Sequence, residues 1–425
     1  LGDFLDAKPE GYDAVIGNPP WLRPRAGNGL RARIRAMAEA TGLPLAGPLN
    51  AYALFVIAAC GQLRPGGRAA FLLPAEWADA NAAAPLRSFL LGAGLRRIVH
   101  ICHLRPVFAD ALTTASLIFL ERPRAAPPEA VEVVFVPEGG ALPALDAPAR
   151  MIARATLAAA PRWESLLRGE ASALPPGFVP LDTLAATRRG LATGANGFFH
   201  RPRAEALSLG IAPHRLIPCL GKAGDAPGVI FDAAAQARLA ARGRPDVFLD
   251  LSPPLSAPEA ALVAAGEAEG LHRRFLTRNR HPWHAPERHL VAPIWATTFA
   301  RDGMRFVWNA AEALQLTAFH GIFPRVEGAE FARALTAVLN AAPVQARIGA
   351  AMRRFGGGLG KFEPRDLGRI AVPDLRRLGG AEIAALGAAL DALGAQERGA
   401  QLRLDRLVEG IVAALSEDEE REESR

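Results

Sequence analysis

Residues Asp13–Trp21 read DAVIGNPPW. The first four form a short apolar run that Gly17 stops, which is the pattern of a buried strand. In an open α/β sheet, ligands bind where strands end at their carboxyl side. Gly17-Asn18-Pro19-Pro20-Trp21 therefore falls where a site is expected. Two consecutive prolines fix φ and remove two backbone donors, but both carbonyls remain as acceptors. Asn18 adds a side-chain carbonyl. The result is a stiff corner offering two acceptors to one NH₂ group, with a flat aromatic beside it for stacking. An amine held in this way has its hydrogens engaged and its lone pair freed, which makes it a better nucleophile. The plain structural alternative is a strand-ending Asn-Pro turn followed by a core tryptophan.

The neighbours extend the α/β reading. Asn50–Leu63 is apolar at helical spacing and stops at Pro65-Gly66-Gly67. Arg68–Leu73 reads as a strand, Ala83–Gly92 as a helix, and Arg97–Ile101 and Ala115–Leu120 as strands. Strands alternating with helices imply an α/β sheet with a parallel core. About 13 residues without helical pattern join the last two strands, which suits an antiparallel pair at the sheet edge. With one more strand at Val131–Val136, residues 1–137 form a first domain. Residues 138–180 are rich in Pro and Ala and read as a connector with a helix around Met151–Leu167. Residues 181–378 have short strands, frequent turns and clustered aromatic and basic side chains, the mark of an α+β domain. Residues 379–425 regain helical periodicity through Leu386, Leu390, Leu393, Leu402, Leu404 and Leu407, and close in a charged, frayed tail at Glu417–Arg425.

Composition limits the classes available. The chain has 425 residues, half of them hydrophobic and 22% charged, so wholesale disorder is excluded. At roughly 150 residues per domain it holds two or three domains. No stretch reaches the roughly 18 uncharged apolar residues of a membrane-crossing helix, so no membrane partner is expected. The scattered cysteines Cys60, Cys102 and Cys219 form neither a disulfide framework nor a CxxC metal site, and suit a reducing, bacterial-type cytoplasm. His272, His281, His284 and His289 lack the spacing of a zinc site, and no metal is expected. The net charge of +6 permits a polyanionic partner without demonstrating one. All but three of the 49 basic residues (Lys8, Lys222 and Lys361) are arginine, a bias that reads as a GC-rich coding sequence.

The GNPPW corner and its neighbours together resemble the class I S-adenosylmethionine-dependent methyltransferases that act on adenine N6 in DNA, in particular their gamma, TaqI-like (type IIG restriction–modification) group. Asp3-Phe4 resembles the acidic-aromatic motif that precedes the corner. Leu63–Trp77 (LRPGGRAAFLLPAEW) resembles the run through the fifth strand, and Pro106-Val107-Phe108 with Ala115–Leu120 resembles the motif and strand near the end of the catalytic domain. The resemblance implies a Rossmann-like methyltransferase sheet, S-adenosyl-L-methionine as cofactor, and double-stranded DNA as partner. Asn18 and the Pro19 carbonyl would accept from adenine N6, with Pro20 stiffening the corner. Trp21 and Phe108 would stack on the flipped-out base. Asp3, Phe4 and Asn18 would line the cofactor site.

Residues 181–378 resemble the target-recognition domain of the same family through RRGLATGANGFF (Arg188–Phe199), RNRHPW (Arg278–Trp283), FHGIFP (Phe319–Pro324) and GGGLGKFEPRDLGRIAVP (Gly356–Pro373). LDRLVEGIVAAL (Leu404–Leu415) resembles the helical end of Eco-type relatives. Arg274, Arg278 and Arg280 near Trp283, together with Lys361, make a basic and aromatic patch that could contact phosphates or read guanine edges. A restriction endonuclease, fused upstream or encoded nearby, is the protein partner this grouping implies. Two other readings stay open. One is a DNA-binding specificity protein with an incomplete, inactive methyltransferase half. The other is an NPP-motif methyltransferase acting on RNA adenine or protein glutamine, which the long downstream domain disfavours.

The family holds the methionine end of its cofactor in a glycine-rich loop upstream of the acidic-aromatic motif. Gly356–Gly360 (GGGLG) cannot replace that loop, because no clear strand precedes it and Lys361 is followed by Phe362 rather than Ser or Thr. With Leu1 in place of a starting Met, the chain is expected to hold the C-terminal part of the catalytic domain. The 425-residue chain alone should therefore bind S-adenosylmethionine weakly or not at all. Calorimetry showing affinity in the micromolar range would overturn that expectation.

Overall fold

The run Asp13–Ile16 is part of strand β1 (Tyr12–Gly17), which pairs in parallel with β2 (Leu63–Pro74). The computed structural model describes residues 11–22, 28–45, 50–101, 115–137, 143–144, 147–169, 174–286, 290–300, 303–351, 353–355 and 359–423. The chain divides into two compact units, the first up to residue 173 and the second from 174 onward, apart from residues 355–358.

In the first unit, α1 (Asn28–Thr41) and α2 (Ala51–Gly61) lie between β1 and β2 in sequence. After β2 come α3 (Ala84–Gly92), β3 (Leu95–Ile101), β4 (Ala115–Glu121), β5 (Ala130–Val136), β6 (Arg150–Ala153), α4 (Arg154–Ala159) and α5 (Glu164–Arg168). The sheet order is β1-β2-β4-β3-β5-β6. β1–β2 and β3–β5 are parallel, while β2–β4, β4–β3 and β5–β6 are antiparallel.

The fold is mixed α/β, as expected, with corrections to its layout. The expected parallel core is antiparallel: the central pairs β2–β4 and β4–β3 run antiparallel, while β1–β2 and β3–β5 are parallel. Asp13–Ile16, read as a buried strand, pairs with β2 alone among the described residues and leaves Asp13, Ala14 and Ile16 exposed. Pro65-Gly66-Gly67, read as the stop of the preceding helix, falls inside β2 where the β1–β2 register shifts, and the helix ends earlier, at Gly61. The β3–β4 pair is antiparallel, but it lies inside the sheet rather than at its edge, because β2 also pairs with β4 and two further strands extend beyond β3. The helix expected over Met151–Leu167 is instead strand β6 followed by two short helices. Pro161 explains the break: the residue before a proline is driven out of the helical region, and Ala160 sits at φ −84°, ψ 121°. Residues 150–169, read as connector, thus carry the sixth strand.

Side-chain periodicity packs this unit. α2 is apolar on every face (AYALFVIAACG), and such a helix must be buried. Tyr52, Val56, Ile57 and Cys60 meet Phe71 and Leu73 of β2, Leu86 and Leu90 of α3, and Ile98, Ile118 and Val133 of the central strands. Each large apolar side chain buried this way contributes about 1.5–3 kcal/mol. The other sheet face has a smaller cluster of Val99, Ile101 and Val136. Arg87 of α3 is buried and donates to the carbonyls of Trp77 (2.7 Å), Ala80 (3.0 Å) and Pro161 (2.8 Å), which fixes the turn after β2. Trp77 and Trp163 meet edge to face across that turn, their centroids 5.5 Å apart.

In the second unit, a five-stranded sheet runs in the order Ile230–Phe231, Phe306–Asn309, Ile294–Thr297, Phe319–Pro324, Ala185–Arg189. A four-stranded sheet combines Leu314–Gln315, Leu216–Leu220, Val247–Leu249 and His200–Arg201. The amphipathic helix Ala329–Asn340 packs Leu335, Val338 and Leu339 into a core shared with Ile294, Phe306 and Ile322. That same core takes in Leu386 and Leu390 of helix Gly380–Gly394 and Leu404, Val408, Ile411 and Leu415 of helix Ala400–Glu423. The C-terminal helices are therefore built into this unit. The expected frayed tail is helical through Glu423, and Ser416 Oγ donates to the Pro176 carbonyl at 3.1 Å.

Gly94, at φ +91°, makes the turn from α3 into β3. A Cβ there would lie 2.1 Å from the Glu121 carbonyl oxygen, and the Glu121 N–H donates to the Gly94 carbonyl at 3.0 Å. Gly94→Ala should lower stability by about 2 kcal/mol or more, seen as a fall in the urea midpoint of the first unit's transition.

Candidate active site and nucleic-acid interface

The corner after β1 is clamped from two sides. Gly17 lies opposite Phe71 in register, and a Cβ on it would come within 3.3 Å of the Phe71 ring. Pro19 is buried, whereas Asn18 and Pro20 are exposed. Trp21 is half-buried, and its indole N–H points to the Leu72 carbonyl of β2 at 3.4 Å. The Leu22 carbonyl accepts from Ala51 N–H at the start of α2 (2.9 Å). The strand pairing and these two bonds leave Asn18 on the solvent side of a corner whose prolines offer acceptors only. Asp3, Phe4 and Phe108, the other residues expected at this site, lie outside the described residues.

A second acceptor set stands beside this corner and escaped the sequence reading. Asn50 occupies the N-cap position of α2, but its side chain makes no capping bond. Its Nδ2 donates to Tyr52 Oη (3.2 Å) and Glu76 Oε1 (3.1 Å). Its Oδ1 is buried and has no partner among the described residues. A buried acceptor left unmatched costs about 1–3 kcal/mol, so this oxygen is a candidate ligand contact. An Asn at the head of an apolar helical run is normally read as a cap, and nothing in the sequence tells the two uses apart.

His100 lies 2.9 Å from Ser116 Oγ through Nδ1 and 2.9 Å from Glu164 Oε2 through Nε2. Burial alone would raise the Glu164 pKa, but the hydrogen bonds and charges of His100 and Arg168 outweigh it and hold the carboxyl at about 2. Ser116 and His100 are fully buried. These three side chains form a strut joining β3, β4 and α5, with Glu164 part-exposed at its outer end.

In the second unit the expected basic, aromatic patch splits in two. Arg274 and Arg278 are exposed, as are Arg273 before them and Phe275 between them. Arg280 is half-buried and donates to the carbonyls of Ala192 and Thr193, so it braces a neighbouring loop. Trp283 corrects the sequence reading. It is a core residue packed on Phe198 (centroids 5.3 Å apart) and Phe199, with its indole N–H on Glu267 Oε1 at 2.9 Å. Aromatic residues next to arginines read alike in sequence whether they face solvent or core. Lys361 is ion-paired with Glu363 at 2.6 Å and stands 5.9 Å from the Phe299 ring centre. A cavity of about 210 Å³ is lined by Arg188, Arg189, Leu191, Leu314, Gln315 and Phe323, among others. Gln315 Oε1 is buried without a partner among the described residues.

Comparison with known proteins bears on both units. Residues 172–401 match the family described as Type II methyltransferase M.Eco57I, C-terminal domain, and residues 3–108 match the Eco57I restriction-modification methylase family. The chain is 28% identical to the Type II methyltransferase M.AccI of Acinetobacter calcoaceticus over 377 residues, which is 86% of this chain and 69% of that protein. It is 28% identical to M.XamI of Xanthomonas campestris pv. amaranthicola over 382 residues, 87% of this chain and 68% of that protein. Among solved structures it shares its fold with the Type IIL restriction-modification enzyme MmeI, whose structure is of a complex with DNA. That match has 12% identity and a TM-score of 0.51, and covers 94% of this chain. The chain spans about half (54%) of the length of that protein. With more than half of its residues matched by the C-terminal domain family and the preceding unit matched by the methylase family, the chain belongs to the Eco57I-type restriction-modification methyltransferases.

Proposed function

We propose that this chain supplies the target-base site and the sequence-reading unit of a DNA methyltransferase that modifies the N6 amino group of an adenine flipped out of double-stranded DNA. The observation that carries the proposal is the Asn18-Pro19-Pro20-Trp21 corner, whose two prolines offer only acceptors and which is held at the carboxyl end of β1 by β2 and α2. Asn18 Oδ1 and the Pro19 carbonyl each accept one N6 hydrogen. With both hydrogens engaged, the nitrogen lone pair is aimed away from the ring plane and becomes nucleophilic. Trp21 offers an aromatic surface to the base, and Phe108 the opposite one by family resemblance.

S-adenosyl-L-methionine, when bound, supplies an electrophilic methyl group on a sulfonium. The unpartnered Asn50 Oδ1 and the Glu76 carboxylate fit an amino or ammonium group of that cofactor. Asp3 and Phe4 join them by resemblance. The work of these side chains is orientation and electrostatics, with no covalent bond to the protein. The target nitrogen is unreachable inside a duplex, so the base must leave the stack. The exposed arginines Arg274 and Arg278 favour DNA over a protein substrate, because phosphate contacts of this kind supply most of the non-specific affinity for a duplex. An accompanying or fused restriction nuclease belongs to the same proposal.

In the intact protein, Asn18→Ala should cut methyl transfer to adenine by about 100-fold or more while DNA affinity changes little. A single-turnover rate equal to wild type would remove Asn18 from the chemistry. Sequencing of modified adenine in host DNA reports the base and its sequence context together.

A further inference from the structure

We propose that Phe275 is a stacking wedge, entering a duplex between base pairs while Arg273, Arg274 and Arg278 hold the flanking phosphates. The proposal rests on the DNA reading above and sharpens it to one side chain.

Phe275 is 70% exposed, unusual for a phenylalanine in a well-packed unit, and Leu276 beside it is 41% exposed. A single exposed apolar side chain means little by itself. Here three further observations converge. The first is charge: Leu271–Pro286 (LHRRFLTRNRHPWHAP) contains four arginines and three histidines and no acidic residue. Of the two acids just before it, Glu267 accepts from the Trp283 indole and Glu269 is exposed.

The second is rigidity, which a wedge needs if it is not to fold back onto its own protein. Buried Leu271 and Thr277 anchor the turn on both sides of Phe275, with Thr277 Oγ1 donating to the Leu271 carbonyl. Asn279 Nδ2 donates to the Phe275 carbonyl at 2.9 Å, and Arg274 Nη1 to the Gly194 carbonyl at 3.3 Å. Arg280 holds the carbonyls of Ala192 and Thr193. Gly194 is at φ +77°, where a Cβ would come within 3.0 Å of Leu276 Cβ, so the supporting loop can approach only because that residue is glycine.

The third is the ring's own environment. Its polar contact is the Arg278 guanidinium, 5.1 Å from the ring centre. An exposed ring with a guanidinium over it resembles the setting of a ring stacked beside phosphates more than that of a core aromatic. Phenylalanine has no hydrogen-bonding group, so it reads no base edge. What it can do is unstack a step and hold it open, as apolar wedges flanked by cations do in other duplex binders. A base step loosened in this way is easier to open for flipping.

The test uses the intact protein and a duplex carrying the methylated sequence found in host DNA, with 2-aminopurine placed in turn at each position. Wild type should raise the fluorescence at one step. Phe275→Ala should abolish that rise and weaken binding about 10-fold, and Phe275→Leu should restore most of both. The salt dependence of binding should be unchanged in Phe275→Ala, whereas Arg273→Gln should flatten it by about one phosphate contact and keep the fluorescence rise. A duplex with an abasic site at the step should bind wild type and Phe275→Ala equally, since no stacking remains to be broken. Wild-type affinity and fluorescence in Phe275→Ala would overturn the wedge. Failure of the wild-type protein to bind any duplex would instead overturn the DNA reading itself.

Discussion

The parallel pairing of β1 with β2 is the constraint on which the candidate site depends. It brings two strand ends to the same side of the sheet, so the chain leaving β1 runs against β2 and the start of α2. Two prolines there cannot join the ladder, because they have no N–H to give. The chain therefore leaves the sheet, and Trp21 and Leu22 are caught by the Leu72 carbonyl and the Ala51 N–H. A corner fixed in this way needs no reorganisation when an amine arrives, which is the condition under which hydrogen-bond acceptors contribute most to a reaction. The same proximity places Asn50, Tyr52 and Glu76 in one hydrogen-bonded group beside the corner.

Arginine does two kinds of work in this molecule. Arg87 and Arg280 turn inward and spend their donors on backbone carbonyls, pinning the turn after β2 and the loop at residues 192–193. Arg273, Arg274 and Arg278 remain at the surface. Guanidinium suits both uses, since its flat fork can satisfy several carbonyls at once or face a phosphate. The overall arginine excess therefore says little about binding. What matters is which guanidinium groups stay exposed.

Much of the first unit was legible in the sequence. β1, α2, β2, α3, β3 and β4 follow from apolar periodicity and from the punctuation of Gly17 and Pro74, whereas Pro65-Gly66-Gly67, read as a helix stop, lies inside β2. Strand direction and order were not legible, because a period-two pattern is the same for a strand running either way. β6 was missed because RMIA is only four residues long and runs straight into a helical segment. The stiff corner at Asn18 was legible because two adjacent prolines remove alternatives from the backbone itself. The roles of Trp283, Arg280 and Asn50 were hidden, since each depends on which neighbours the tertiary fold brings within a few ångströms. Phe275 was passed over for the converse reason: its neighbours leave it uncovered.

The shared core of the second unit bears on where this chain could be cut and grafted onto a relative. Leu386, Leu390, Leu404, Val408, Ile411 and Leu415 lie in one hydrophobic cluster with Ile294, Phe306 and Ile322. The part that would be exchanged between relatives is thus not a cassette ending near residue 378. A graft cut there would strip apolar side chains from the helices and leave the five-stranded sheet with an open face, so recombination is tolerated only when the helices travel with the sheet they cover. Whatever this sheet comes to bind, its C-terminal helices must be inherited with it.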